Sequence, residues 1–241
     1  MTLGVHTSSF QALLGPGSDP VDVLVRALTA CGARECELFA PQVEAQFGGP
    51  HGGHGSMSSM SPQMMRRELR KWRLRTPPAY FQAIGSRFQQ AGVAIAAWNY
   101  SPDGSFSDQE IARGFEMAKA LGAGTLTVSA EHGMAKRIAP FAAEHKMTVA
   151  FAGDTAADAI GVSPHFKIAL DAAHVASAGD YLHAHHADVA VVRVTCDQAE
   201  ARQMVEAVAR NGWPIGVFVK AGGGSTAVDD VKRCLAALHA G

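Results

Sequence analysis

Short apolar runs rich in β-branched residues alternate along this chain with longer stretches whose apolar positions recur at helical spacing. Eight runs read as strands: Leu3 to Thr7, Glu35 to Phe39, Ala94 to Trp98, Thr125 to Ser129, Met147 to Phe151, Lys167 to Leu170, Val189 to Val194 and Ile215 to Val219. Between them the spacing predicts helices over Val21 to Thr29, Pro78 to Gln90, Asp108 to Leu121, Met134 to Glu144, Ala199 to Arg210 and Val228 to Leu238. Ser107 and Asp197 stand where helix N-caps belong, and Gly92, Gly122 and Gly212 where helices should stop. Strands in strict alternation with helices are what a parallel sheet requires, because each connection must cross back over it. With eight of them the expectation is an α/β fold, a single (β/α)8 barrel over residues 1–241. An open doubly wound sheet competes, but its phosphate-binding Gly turn is missing after the first strand, which runs into Val5-His6-Thr7-Ser8-Ser9.

One stretch breaks the regular spacing. Pro41 to Pro77 is a long insertion after the second strand, with a Gly- and His-rich tract around His51 and His54 and then a basic helical run, Met64 to Arg73. In a barrel it would hang over the C-terminal mouth as a lid or an oligomer contact. The plainer alternative is a solvated loop with a basic surface helix.

Composition narrows the class. A length of 241 residues suits one barrel domain, and 47% hydrophobic against 18% charged residues supports a buried core rather than disorder. The 21 basic and 22 acidic residues leave a net charge of -1, so no overall field draws the chain to nucleic acid or a membrane surface. Cys31, Cys36, Cys196 and Cys234 form no Cys-x-x-Cys pair, which argues against a disulfide scaffold and a cysteine zinc site and favours a reduced, cytoplasmic setting. No window approaches the roughly 20 apolar residues of a membrane span.

In a barrel the last polar group of each strand converges on one mouth, which gives His6, Glu37, Asn99, Ser129, Asp154, Asp171, Arg193 and Lys220. Singly, each is a common structural hydrogen-bonding group. As a ring they point to a ligand site, since buried polar groups without partners are costly. Among the histidines, His183, His185 and His186 do not form a ligand set on one helix face and read as surface or packing groups. His51 and His54 lack a further metal ligand, whereas His6 and His132, at strand ends, are placed for substrate hydroxyls.

The stretches Gly32 to Pro41, Gly114 to Ala123 and Leu170-Asp171-Ala172-Ala173-His174, with Gly212-Trp213-Pro214-Ile215, resemble the xylose-isomerase-like superfamily of sugar phosphate isomerases and epimerases. The resemblance extends over nearly the whole chain. It implies a barrel whose mouth holds a divalent metal that polarises a sugar while acids and bases move a proton between neighbouring carbons. It places the metal ligands at the ends of strands five to eight, as Glu or His, Asp, His or Gln, and Glu. This chain keeps Asp171, with His174 as the residue that holds substrate, but has Ala152 or its neighbours, Arg193 and Lys220 at the other three positions. Arginine offers a metal no lone pair, nor does lysine at neutral pH. The expectation is therefore a degenerate metal site and no metal cofactor.

In place of the ion, Arg193 and Lys220 would either neutralise Asp171 as a structural plug or grip an anionic ligand. The Gly-rich turn Ala221 to Thr226 offers a second place for phosphate, at a helix N-terminus. Two functions follow. One is a sugar isomerase or epimerase acting on a ketose, sugar phosphate or sugar acid, with Glu37, His174 and Asp171 as catalytic groups. Its remaining strand-end residues, His6, Asn99, Ser129, Asp154, Arg193 and Lys220, would bind substrate. The other is a carbohydrate- or anion-binding barrel that has lost catalysis. A DNA-repair endonuclease of the same superfamily would need metal ligands and a basic groove, and the sequence shows neither. The expected partner is a small sugar or sugar phosphate, with no nucleic acid and no membrane; homo-oligomers are left open.

Overall fold

Each apolar run forms a strand, and the strands are parallel. The computed structural model describes residues 2–45, 60–129, 131, 133–154, 156–197, 199–222 and 224–239. Among them, β1 (Leu3–His6), β2 (Glu35–Phe39), β3 (Ala94–Asn99), β4 (Thr125–Val128), β5 (Thr148–Phe151), β6 (Phe166–Asp171), β7 (Val189–Val194) and β8 (Gly216–Val219) close into a barrel in sequence order. The outer layer consists of α1 (Pro20–Ala30), α2 (Pro62–Arg75), α3 (Pro78–Gln90), α4 (Asp108–Leu121), α5 (Met134–His145), α6 (Ala156–Ile160), α7 (Ala178–His185), α8 (Ala201–Asn211) and α9 (Ala227–His239). This is a (β/α)8 barrel. No helix among the described residues is long and apolar enough to cross a membrane.

The strands end one residue later than their apolar runs where a polar mouth residue stays in register. Asn99 pairs with Phe39 and Thr127, and Asp171 with Arg193, so hydrogen bonding carries β3 and β6 into the mouth. Below that layer the barrel interior is filled by Phe218 among Ala97, Ala150, Ala169 and Val191. One large ring among small side chains is a tight fit. A methyl group on Gly4 would stand 2.6 Å from Phe218 Cδ1, which explains the glycine in β1.

Local chemistry sets the helix ends. Ser107 and Glu110 form a reciprocal capping box on α4, and Gly122 ends that helix at φ 85°, a conformation only glycine adopts without cost. The cap expected from Asp197 is not formed. Helix α8 starts later, after Glu200, whose carboxylate accepts instead from the Gly179 backbone N–H of α7 at 2.7 Å.

The expectation of unpaired cysteines is also corrected: Cys196, after β7, and Cys234, in α9, form a disulfide with Cα atoms 5.3 Å apart. Their 38-residue separation hides a contact that the barrel's curvature creates. Cys31 and Cys36 are free and buried.

Helix α2 is a basic surface helix, as the plainer reading of the insertion has it, but it is tied down at one point. Its Arg73 is buried, donating through Nε (2.8 Å) and Nη2 (2.7 Å) to both oxygens of Glu44, with the rings of Tyr100 and Phe106 centred 5.2 and 4.7 Å from the guanidinium. Arg113 of α4 donates to the Arg73 carbonyl at 3.0 Å, and Arg70 pairs with Glu110 at 3.3 Å. These contacts seat α2 beside α4 in the outer layer. The tract holding His51 and His54 lies outside the described residues, as does His132.

Candidate functional site

A cavity of about 640 Å³ opens at the C-terminal ends of the strands. His6, Asn99, Ser129, Asp154, Asp171, His174, Arg193 and Lys220 all line it. Period-2 alternation brings these residues together, because the last inward-facing position of each strand points into the mouth. Glu37 belongs to the same cluster but lies beneath it, fully buried.

The floor is a hydrogen-bonded network that spans the barrel. Arg193 of β7 reaches across to Glu37 of β2, Nε to Oε2 at 2.8 Å and Nη2 to Oε1 at 2.6 Å. Thr127 donates to the same Oε1, and Asn99 Nδ2 approaches it at 3.3 Å while donating to Thr127 Oγ1 at 3.0 Å. Burial alone would raise the Glu37 carboxyl pKa. The charge and hydrogen bonds of Arg193 outweigh it, helped by His6 and Thr127, and bring the pKa down to about 2. Arg193 is held charged in turn, with Glu37 overcoming the opposing effect of burial.

This geometry changes two expectations. Arg193 does not join Lys220 in neutralising Asp171; its bidentate partner is Glu37. Glu37, a candidate general base in sequence, is a poor one in place, because both oxygens are occupied and its proton affinity is very low.

His6 sits between floor and cavity. Burial lowers its pKa to about 4, and the Arg193 and Lys220 charges push the same way against Glu37 and Asp171. It is therefore neutral at pH 7. Its Nδ1 accepts from the Ser8 backbone N–H at 3.3 Å, with Ser8 Oγ at 2.6 Å, which leaves the proton on Nε2. Nε2 stands 3.8 Å from Glu37 Oε2, too far for a hydrogen bond, so it is a donor available to a ligand.

The rim is looser. Lys220 Nζ lies 3.4 Å from Asp171 Oδ2, and His174 Nδ1 lies 3.4 Å from Asp171 Oδ1. The Lys220 side chain is 41% exposed and that of His174 76%. Asp171 also accepts from the Ala173 backbone N–H at 3.3 Å, which fixes the carboxylate at the end of β6.

The resemblance implies a divalent ion held at the ends of strands five to eight. Asp171 is the one carboxylate kept at the four expected ligand positions, the guanidinium of Arg193 has no lone pair, and Lys220 is paired with Asp171. Among the described residues no three His, Cys, Asp or Glu side chains gather as a metal would require. The Gly-rich turn that offers a second place for phosphate leads into α9, whose first turn carries Asp229 and Asp230. Those carboxylates already complement the helix dipole.

Thr127, Ser8 and Tyr181 also belong to the mouth, though the strand-end reading misses them. Thr127 and Ser8 each lie two positions from a residue it finds, Ser129 and His6, and alternation would have reached them. Tyr181 comes from α7 and leaves no such signal. His183 and His186 pack on the Trp213 ring, His186 stacked at 4.3 Å, and His185 packs on Tyr181, all outside the site.

No protein-family model matches the chain, and no curated protein matches it. Among solved structures it is similar to a sugar phosphate isomerase/epimerase from Parabacteroides distasonis, with a TM-score of 0.68 and 12% identity over 100% of this chain and 96% of the other. A D-allulose 3-epimerase from Methylomonas sp. in complex with D-allulose aligns with a TM-score of 0.60 and 11% identity, covering 99% and 96%. A putative uncharacterized protein from P. distasonis aligns at 0.65 and 15%, covering 98% and 96%. At these identities the likeness shows the fold, a (β/α)8 barrel shared with those structures.

Proposed function

We propose that this xylose-isomerase-like barrel is a sugar isomerase or epimerase that moves a proton on a ketose or a related sugar phosphate or sugar acid. Two side-chain cations, Arg193 fixed at the floor and Lys220 mobile at the rim, take the place of a divalent ion at its centre. The observation that carries this reading is the anchoring of Arg193 at the cavity floor by Glu37, with Lys220 on the same cavity. A cation held by a buried carboxylate needs no reorganisation when negative charge develops on a sugar oxygen.

In this reading the carbonyl oxygen lies toward Arg193 and Lys220, and the Nε2–H of neutral His6 donates to it or to the adjacent hydroxyl. His174, oriented through Nδ1 by Asp171, takes the proton from the carbon beside the carbonyl. It returns the proton to the neighbouring carbon on the same face of the enediolate in isomerisation, as the hydroxyl proton passes to the former carbonyl oxygen; in epimerisation the new proton comes from water on the opposite face and His174 releases its own to solvent. Asn99, Ser129 and Asp154 bind hydroxyls. Glu37 positions Arg193 and takes no proton.

The test is deuterium incorporation from D2O into a panel of ketoses, followed by NMR. Exchange by the wild type that falls about 10²- to 10⁴-fold in His174→Ala supports the reading. The immobilised Glu37 favours a second reading, a carbohydrate-binding barrel without turnover. Binding without any exchange would select it.

A further inference from the structure

We infer, on the reading of the mouth as a sugar site, that its ligand is a polyol carrying no negative charge and that Asp154 sets this preference. Two side-chain cations line the cavity, and each already has a carboxylate: Arg193 holds Glu37 in a bidentate pair, and Lys220 faces Asp171. Asp154 is a third carboxylate on the same cavity, exposed at the end of the β5 segment. Two cations therefore stand against three carboxylates. Neither histidine of the cavity alters the count: burial keeps His6 neutral at pH 7, and His174 enters the proposed reaction as a neutral base.

Other sources of positive charge do not change the sign. Residues 46–59 contain no Lys, Arg, Asp or Glu, so they bring no formal charge to any place in the molecule. The nearby α9 N-terminus carries Asp229 and Asp230 in its first turn. A phosphate or carboxylate entering the mouth would have to draw Lys220 from Asp171 and then sit beside that carboxylate as well as Asp154. Rejection by unpaired like charges is how a site discriminates between ligands of similar shape. Hydroxyl groups meet no such opposition. Asp154, Asp171 and the Asn99 Oδ1 accept from them, while His6 Nε2 donates.

Calorimetric titration of the full chain with pentuloses and hexuloses, their terminal phosphates and the matching aldonic acids tests this without requiring turnover. The uncharged sugar is expected to bind at least about tenfold more tightly than its phosphate at moderate salt. In Asp154→Asn the ratio shifts toward the phosphate by on the order of fivefold, and in Asp154→Lys by more. A wild type that prefers the phosphate or the acid overturns the charge inference and leaves the sugar site standing. An unchanged ratio in Asp154→Lys removes Asp154 as its cause. No binding by any member of the panel overturns the sugar site itself and the inference with it.

Discussion

The mouth contains the same chemical pair twice, a carboxylate facing a cation, in two different settings. On the floor, Glu37 and Arg193 have side chains 0% and 6% exposed and meet through two short hydrogen bonds, with Thr127 and Asn99 around them. On the rim, Asp171 and Lys220 meet through one contact of 3.4 Å, with the lysine 41% exposed. Burial makes the difference. Removing either floor partner strands a charge in a poor solvent, so that pair is fixed; on the rim water replaces a lost partner, so that pair is free to rearrange around a ligand. The floor supplies a preorganised field, and the rim supplies groups that can move.

The largest expected effect comes from breaking the floor. Glu37→Ala should cost about 3–5 kcal/mol in denaturant unfolding, because it leaves the Arg193 guanidinium buried and uncompensated. Replacing both partners with apolar residues should cost much less than either single change. A Glu37→Ala protein as stable as the wild type would mean that the floor is as solvated as the rim.

A second way to sharpen the contrast is pH. His6 has a folded-state pKa of about 4 against 6.5 unfolded, so folding favours its neutral form. Its contribution is fully present above 6.5 and is lost as pH falls toward 4, because the unfolded chain binds the proton first. Glu37, lowered from 4.5 to about 2, contributes above 4.5 and loses that contribution only as pH approaches 2. Unfolding free energy should therefore decline by about 1–3 kcal/mol between pH 6.5 and 4.5, and the decline should be smaller in His6→Gln. Equal slopes in the two proteins would remove His6 as the titrating group.

Two smaller effects separate support from function. Gly4→Ala places a methyl group against Phe218 beneath the floor and should cost about 1–3 kcal/mol in thermal or urea unfolding. Lys220→Met should change stability by less than about 1 kcal/mol, as for other exposed pairs, while weakening ligand binding and exchange. A Lys220→Met protein that is destabilised but binds normally would make the rim pair, like the floor pair, a structural element.

The outline of this arrangement was legible in the sequence. Alternating strand and helix patterns identify the barrel, and the last polar residue of each strand marks the cavity lining, even though the pairing shifts register between Ile95 and Ala97 of β3 and between Val189 and Val191 of β7. The pairing was not legible. Arg193 and Asp171 are in register on neighbouring strands, which makes them the natural couple on paper, yet Arg193 bonds to Glu37, 156 positions away across the barrel. The long guanidinium reaches the fully buried carboxylate, where its charge is worth most. The same limitation hid the Cys196–Cys234 bond and the use of Glu200 at α7, both made between elements that the fold sets side by side.

The central claim, that side-chain cations rather than a divalent ion polarise the ligand, is tested most directly by the metal dependence of proton exchange. Deuterium incorporation into the best ketose should be measured in chelator-treated wild-type protein, with and without added manganese or magnesium. Exchange that persists in the chelator, is unchanged by either metal and is lost in Lys220→Met is the result expected. Exchange abolished by the chelator and restored by stoichiometric metal would contradict the account.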